Sequence, residues 1–229
     1  NLYRIAPPED PPKLPVVHAE LQSTFHRLLD FFGLGTKVEE QEVDSTIIQR
    51  SEHKNALHDW LGEVEDSSLQ CQLLYRASSD GWQSSIFHRK CDSQGPTITI
   101  VRSSGGYIFG GYSDQPWSSR SAYVESSKAF LFPLTNPDCI PPIKLPLMQA
   151  VTPTGTYNHP SHGPTFGGGY DLYIADSAAQ NQQSSSILGN TYQFPGRRIN
   201  FRLTETQNFR VSELEVFRVQ KHEGPPYKR

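Results

Sequence analysis

Apolar residues near the N-terminus recur at helical spacing after a proline-rich opening. Five of the first 15 residues are proline, and proline fixes φ and lacks a backbone donor, so this opening predicts an extended linker. From Val17 the apolar positions predict a helix that ends at Gly33 and has one apolar stripe. Because such a stripe is rarely left in water, we expect it to pack on this chain, on a partner or on a second copy, which would allow self-association. The stripe consists of Leu21, Phe25, Leu28, Leu29 and Phe32.

A second helical pattern follows an acidic stretch. Ser51 is a suitable N-cap for it, and Gly62 lies near its expected end. The chain then changes texture, so we expect three parts: a linker with an amphipathic helix over residues 1–44, a main domain over residues 45–220, and a polar tail over residues 221–229. The apolar positions of this second helix are Leu57, Trp60, Leu61 and Val64.

From Cys71 onward the apolar segments are short and are separated by Gly, Ser, Pro and Asp. This pattern predicts many short strands, and hence a mainly β fold with short helices. One of those helices is expected over residues 82–91, with Ser84 or Ser85 as its N-cap. The predicted strands cover residues 73–77, 97–102, 107–112, 129–134, 171–175 and 212–219.

Composition and charge exclude several classes of partner. The chain has 21 Lys and Arg residues against 24 Asp and Glu residues, a formal charge of −3, and its basic residues are scattered. Nucleic acid is therefore not expected as a partner, because a phosphate-binding surface needs clustered positive charge. No run approaches the roughly 18 consecutive apolar residues of a membrane span, so membrane insertion is not expected either.

The three cysteines bear on the compartment. Cys71, Cys91 and Cys139 cannot all pair with one another, which favours a reducing, cytoplasmic compartment. Secretion stays an alternative if a signal peptide was removed before Asn1. A disulfide between Cys71 and Cys91 also stays open, because the sequence supplies no distance.

A carboxylate in the last predicted strand needs a partner. Glu215 lies between Leu214 and Val216, so it is desolvated unless another group compensates. Arg76 in the first predicted strand is the candidate, because the first and last strands of a sandwich often lie side by side. We therefore expect a structural ion pair between Arg76 and Glu215 rather than acid–base chemistry.

Other chemical groups are weaker candidates for catalysis or for ligand binding. Cys91 follows Arg89 and Lys90, and a positive neighbourhood could activate its thiol. A helix C-terminus acts the other way, so a buried packing role is the favoured interpretation. The glycines of residues 163–169 precede a strand rather than open a helix, which disfavours nucleotide binding. A metal site could be drawn only from His159, His162, Asp171 and Asp176, and this spacing is weak.

Several blocks of sequence carry a resemblance to a known family. In chain order they are LLYRASSDGWQSSIFHR, KCDSQGPTIT, GGYIFGGYSDQPW, AFLFPL, GPTFGGGYDLYIAD and ELEVF. Together they resemble the TLDc domain of the oxidation resistance protein and nuclear receptor coactivator family, over roughly residues 45–220. The resemblance implies an antiparallel two-sheet β-sandwich, preceded here by the helical extension.

The same resemblance implies a non-enzymatic interaction module in oxidative-stress protection, with the vacuolar ATPase as the partner and without a cofactor. Two alternatives belong to other classes. One is a ligand- or glycan-binding sandwich that uses exposed aromatic rings as stacking platforms. The other is a thiol-based redox enzyme that uses Cys91. The candidate contacts for a ligand or partner are Trp82, Asp114, Trp117 and Tyr170.

Overall fold

A computed structural model describes residues 44–65, 69–148, 154–194 and 201–221. The proline-rich opening, the helix predicted to end at Gly33 and residues 222–229 of the predicted tail lie outside these ranges, so self-association through that helix stays a prediction.

The described part is built mainly from strands. Its three helices are α1 (Ser51–Glu65), α2 (Ala77–Asp80) and α3 (Ser84–Cys91). Its twelve strands are β1 (Leu69–Arg76), β2 (Thr97–Ser103), β3 (Ile108–Ser113), β4 (Ala122–Glu125), β5 (Phe130–Pro133), β6 (Leu145–Pro146), β7 (Thr154–Asn158), β8 (Thr165–Phe166), β9 (Leu172–Tyr173), β10 (Ser184–Ser186), β11 (Asn208–Phe209) and β12 (Val211–Lys221).

The strands form two six-stranded antiparallel sheets. The first has the order β1-β12-β2-β3-β5-β6, and the second has the order β11-β10-β9-β8-β7-β4. The last strand therefore lies between the first two, and Arg76 of β1 is directly opposite Glu215 of β12. This architecture confirms the predicted mainly β, two-sheet antiparallel fold with few short helices.

The two sheets pack face to face around one apolar core. The ring of Phe109 in β3 meets Phe209 in β11 at 5.3 Å, and Trp117 meets Phe166 of β8 at 5.4 Å, both edge to face. The sheets also approach each other closely at Gly111, since a Cβ there would sit 2.7 Å from the Phe166 ring. These contacts make the pair of sheets a sandwich.

A second apolar layer covers the outer face of the first sheet. Leu57 and Leu61 of α1 are buried there, and the Trp60 ring lies 5.9 Å from Phe132 of β5. Both faces of β12 are consequently covered: Val216 faces the second sheet, whereas Phe217 faces the layer under α1. This explains why β12 is buried along most of its length instead of alternating between core and solvent.

Several boundaries differ from the sequence predictions. The carbonyl of Arg50, not Ser51, accepts the first helical hydrogen bonds of α1. Gln83 is the N-cap of α3 and makes no side-chain cap bond. The predicted strand over 171–175 is reduced to Leu172–Tyr173. Strands β4, β6, β7, β8, β10 and β11 were not predicted, because they are short and mostly lack an apolar alternation.

Candidate functional site

Glu215 is a fully buried carboxylate held by the neighbouring strand and by the start of the domain. Its Oε1 accepts a hydrogen bond from Arg76 Nε at 2.8 Å, and the backbone N–H and the hydroxyl of Thr46 donate to the same oxygen, each at 2.9 Å. Its Oε2 accepts from the Ser45 hydroxyl at 2.5 Å. Both oxygens are therefore engaged inside the fold, which favours a structural role for this charge.

The same cluster fixes the segment that leads into the domain. Arg76 Nη2 donates to the carbonyl of Asp44 at 2.7 Å. The Ser45 hydroxyl accepts the N–H groups of Ile47 and Ile48 at 3.1 Å and 2.9 Å, and both isoleucine side chains are buried. Sequence reasoning missed Ser45 and Thr46, although a Ser-Thr pair directly before two isoleucines is a local signal for such a turn.

Asp80 extends this cluster along the surface. It accepts the N–H of Arg76 at 2.9 Å and the Lys90 ammonium at 2.7 Å. Partial burial acts to raise the pKa of Asp80, but the hydrogen bonds from Lys90 and Arg76 outweigh it and hold the pKa below its usual range. Gly81 follows with φ at 116°, as expected of an Asp-Gly turn.

The cysteines form no disulfide. Cys91 is inaccessible to solvent in the core. Burial raises the pKa of its thiol far above the usual range; the Asp92 charge adds to this rise and the Lys90 charge opposes it. Burial also raises the pKa of Cys71 to about 11. A nucleophilic thiolate at Cys91 is therefore disfavoured, since reactive cysteines are partly exposed and have lowered pKa values.

The predicted contact residues separate into different environments. Trp117 is only 1% exposed, and its Nε1 donates to the Thr97 hydroxyl at 2.8 Å, so its assignment as a surface stacking platform is wrong. Trp82 is half-buried against the core. Asp114 accepts hydrogen bonds from the Ser126 hydroxyl and, at 2.9 Å, from the Gln115 amide. Tyr170 alone among these four lies in a group of surface rings.

The structure does not bring the four candidate metal ligands together into one site. Asp171 is fully buried and accepts backbone N–H groups of the 190–192 turn at 3.1 Å; burial raises its pKa against these donors. Asp176 accepts the N–H and hydroxyl of Ser84 at 2.7 Å and 2.6 Å. Within the described ranges no group of three or more His, Cys, Asp or Glu residues could hold a metal ion.

Gly167 of the glycine-rich loop lies against the Asp171 side chain. Gly167 has φ at 86°, and a Cβ at this position would overlap the Asp171 carboxylate. Glycine at this position therefore permits both the positive φ and the close approach of the backbone to the carboxylate.

The remaining histidine pair belongs to a contiguous layer of rings, which we call the tyrosine–histidine surface. Tyr123 of β4 and Tyr157 of β7 are directly opposite each other, with ring centroids 4.6 Å apart. Thr156 pairs with the core residue Phe166, so Tyr157 points away from the core. Tyr123 is 54% exposed and the other rings are half-buried. The surface consists of Tyr123, Tyr157, His159, His162, Tyr170 and Tyr173.

Tyr157 and Tyr170 each contact several of the other rings of this surface. The Tyr170 ring stacks on Tyr157 at 5.4 Å and on Tyr173 at 5.8 Å, while His159 and His162 lie 4.5 Å apart beside them. Burial, the neighbouring tyrosines and a hydrogen bond with Tyr157 raise the pKa of Tyr170 to about 12. The Tyr170 hydroxyl thus stays neutral at physiological pH.

A buried histidine supports the loop that carries His159 and His162. The Nε2 of His88 lies 2.8 Å from the carbonyl of His159 and 3.0 Å from that of His162, so this nitrogen donates. Its Nδ1 lies 2.8 Å from Asp92. Burial, followed by the His159 and His88 charges, lowers the pKa of His162, which keeps its ring neutral near pH 7.

Sequence reasoning found only part of this surface. It named His159, His162 and Tyr170 but missed Tyr123, Tyr157 and Tyr173. Tyr157 is in β7 and His159 directly follows the strand, two residues on, a spacing that places side chains on the same side of an extended segment. That spacing was the available signal, yet it depends on recognising β7, a strand with little apolar character.

In the described part of the chain, no helix has both the length and the apolar character needed to cross a bilayer.

The fold and the ring surface define a two-sheet antiparallel β-sandwich domain with an aromatic outer face. Residues 43–220 match the family model of the TLDc domain, and the chain belongs to the TLDc-domain family. It is similar to MTOR-associated protein MEAK7 of Danio rerio, with 30% identity over 95 residues, which cover 42% of this chain and 19% of the relative. It is also similar to MTOR-associated protein MEAK7 of Xenopus laevis, with 32% identity over 88 residues, 38% of this chain and 17% of the relative. The match thus spans less than a fifth of either relative.

Proposed function

We propose that this TLDc domain is a non-enzymatic interaction module that contacts its protein partner through the tyrosine–histidine surface. One observation carries the proposal: contiguous rings lie on the outer face of the second sheet, where Tyr123 is 54% exposed. Tyrosine is enriched at protein interfaces because it combines an apolar ring with a hydroxyl donor. A cluster of such rings outside the core is therefore a natural contact.

The side chains that could act as catalytic groups are buried or already hydrogen-bonded within the fold. Cys91 is buried with a raised pKa, and both oxygens of Glu215 are bonded to Arg76 and to the segment that enters the domain. These contacts support an interaction role over thiol redox chemistry. They also support the interpretation of Arg76 and Glu215 as a structural pair.

The partner and the process are further parts of the proposal. The TLDc family points to oxidative-stress protection and to the vacuolar ATPase, so we propose the vacuolar ATPase as the partner. The names of the two relatives associate them with MTOR, which makes an MTOR-containing assembly the second candidate. Both candidates are protein assemblies, as a module of this kind requires.

A capture experiment tests this proposal. The full chain is immobilised as wild type, Tyr123→Ser, Tyr157→Ser and Ile187→Ser, and each is exposed to purified vacuolar ATPase. Ile187 is the matched control because it is a large apolar side chain with 44% exposure outside the tyrosine–histidine surface. We expect the wild type and Ile187→Ser to retain the ATPase and the two tyrosine variants to lose it. Equal capture by all four would contradict the proposed surface, and no capture by any would contradict the proposed partner.

A further inference from the structure

We infer that the doubly protonated, charged form of His88 holds the turn of residues 159–162 in place, and that loss of one of its protons releases this part of the tyrosine–histidine surface. The inference rests on the proposed function, which makes this surface the contact, and it names how that contact is regulated. His88 is thus a positioning residue, because it acts through His159 and His162, which it holds by their carbonyl groups.

Both ring nitrogens of His88 face oxygen atoms that accept hydrogen bonds. Its Nε2 lies 2.8 Å from the carbonyl of His159 and 3.0 Å from that of His162, and a carbonyl cannot donate. Its Nδ1 lies 2.8 Å from Oδ1 of Asp92, whose Oδ2 accepts from the Ser119 hydroxyl at 2.7 Å. When Asp92 is ionised, both nitrogens of His88 must therefore carry a proton, which makes the ring an imidazolium.

The surroundings of His88 let this charge act on the turn. Its side chain is 5% exposed, so water has little access to replace a lost hydrogen-bond partner. Asp92 supplies the negative charge that compensates an imidazolium, and the Ser119 hydroxyl bonded to it is uncharged. The charged and titratable groups around the ring are Asp92, the exposed Arg89 that lines the same surface cavity, His159 and His162.

Loss of one proton from His88 would strip Nε2 rather than Nδ1. The Asp92 carboxylate keeps a proton on the nitrogen that faces it, because the hydrogen bond of one ring nitrogen fixes the tautomer of the ring. The lone pair of Nε2 would then point at two carbonyl oxygens, which repel it and lose their donor. The turn would separate from α3 and take with it the rings of His159 and His162, which lie 4.5 Å apart in the surface.

His162 is arranged to stay neutral while His88 is charged. Among the described residues, the Nδ1 of His162 is buried and has no hydrogen-bond partner. Burial, followed by the His159 and His88 charges, lowers the pKa of His162. A second positive charge in this cluster would have to share the Asp92 carboxylate. The held state of the turn therefore combines a charged His88 with a neutral His162.

Histidine NMR tests the inference. The full chain is labelled with nitrogen-15 at histidine and titrated from pH 6 to pH 9, and His88→Gln assigns the ring signals of His88. We expect both ring nitrogens to carry a proton at pH 6 and Nε2 alone to lose it as the pH rises. The backbone amide signals of His159 and His162 should shift with the same midpoint.

A change at Asp92 separates release of the turn from a mere change of charge. Asp92→Asn can donate to Nδ1, so a neutral His88 would keep its Nε2 proton on the turn at every pH. The amide of His162 donates to the His159 carbonyl at 2.9 Å. Above the midpoint, and at one pH for both proteins, this amide should exchange with solvent faster in the wild type than in Asp92→Asn. Ser119→Ala keeps the carboxylate and is the control that should behave as the wild type does.

The outcomes separate this inference from the proposed function. A single protonated nitrogen at pH 6 would overturn the inference, as would a His88 that keeps both protons up to pH 9. Equal exchange of the His162 amide in the wild type and in Asp92→Asn would overturn it as well. These measurements involve no partner, so capture that does not depend on Tyr123 and Tyr157 would contradict the proposed function alone.

Discussion

Two regions of this domain use polar residues in opposite ways. Around Glu215, a carboxylate without solvent exposure is held by Arg76, Ser45 and Thr46. On the tyrosine–histidine surface, Tyr123 and its neighbours keep part of their rings in water. The first arrangement satisfies a charge internally, whereas the second leaves chemistry available to another molecule. The difference shows that burial and partners, more than residue type, separate a structural group from a contact.

This comparison makes a general expectation. Changes around Glu215 should alter the free energy of unfolding and leave binding by the folded protein unchanged. Changes on the tyrosine–histidine surface should do the reverse. The following experiments test that separation, beginning with the largest expected effect on stability.

Glu215→Gln should be the most destabilising of these changes. It leaves the Arg76 guanidinium, which is largely buried, without its counter-charge. Breaking a buried pair in this way typically costs about 3 to 5 kcal/mol. Chemical denaturation of Glu215→Gln, Arg76→Met and the double variant measures the effect. The double variant should lose less than the sum of the two single losses, because the stranded charge is then absent.

Two results would contradict this prediction. Additive single effects would show that Arg76 and Glu215 do not stabilise each other. Normal stability of Glu215→Gln together with abolished capture of the partner, at a temperature where all variants are folded, would make Glu215 a contact and remove the distinction between the two regions.

Cys91→Ser should have the next largest effect. The serine hydroxyl would be buried in the apolar core without an assured partner, which costs about 1 to 3 kcal/mol. Thermal denaturation measures this loss. In the native protein a thiol reagent should label the exposed Cys139 and leave Cys91 unreacted; Cys139→Ser is the control that should abolish the rapid labelling. A folded Cys91→Ser variant that has lost all protection against peroxide would instead revive the thiol-based redox enzyme.

Two histidines should make stability depend on pH. Burial lowers the pKa of His53 and of His162 below the ordinary value of 6.5. As the pH drops below 6.5, the unfolded chain takes up protons before the folded one does. The free energy of unfolding should therefore decrease as the pH decreases, by at most about 1.4 kcal/mol per pH unit for each histidine. Above pH 6.5 both states are neutral and the contribution vanishes.

Urea denaturation at pH 7, 6 and 5 measures this dependence. His162→Phe keeps a ring but cannot titrate, so the loss of stability between pH 7 and pH 5 should be smaller than in the wild type. His53→Phe should also make the loss of stability between pH 7 and pH 5 smaller, because the titrating imidazole of His53 is buried in α1. An unchanged pH dependence in both variants would show that other groups govern it.

Tyr123→Ser should have the smallest effect on stability. Its ring is 54% exposed, and surface substitutions usually change stability by no more than about 0.5 kcal/mol. Its capture of the partner should nevertheless fall by about fivefold or more. Parallel denaturation and binding measurements check this, with Ile187→Ser as the control that should change neither. A large loss of stability would place Tyr123 with the structural residues and would contradict the proposed separation of the two regions.

The sequence predicted the parts of the fold that have strong apolar patterns. The strands around Ile98, Phe109 and Leu131 were found because their side chains fill the core. Strands such as Ser184–Ser186 were missed, since a run of three serines has no pattern to recognise. The position of Glu215 among apolar neighbours already called for a compensating partner, and its placement opposite Arg76 follows from the sheet order.

Surface exposure was harder to predict. Trp117 and Tyr170 are both aromatic residues near glycine or proline, yet Trp117 is in the core and Tyr170 is half-buried at the surface. The difference comes from the tertiary structure: Trp117 lies against Phe87 and Phe166, between the helix α3 and the second sheet. Residues from three separate segments, around Tyr123, over 157–162 and over 170–173, form the tyrosine–histidine surface, so no local pattern could have assembled it.

The insertion of β12 between β1 and β2 has a consequence during protein synthesis. Strand β1 ends at Arg76, whereas its neighbour β12 begins only at Val211. A ribosome working at about 5 to 20 residues per second needs roughly 7 to 27 s to make the chain between them. During that time β1 and β2 lack the strand that joins them, and their exposed edges need protection by chaperones. Translation that stops anywhere before Val211 should therefore yield a nascent chain that lacks the strand joining β1 to β2 and cannot complete its first sheet.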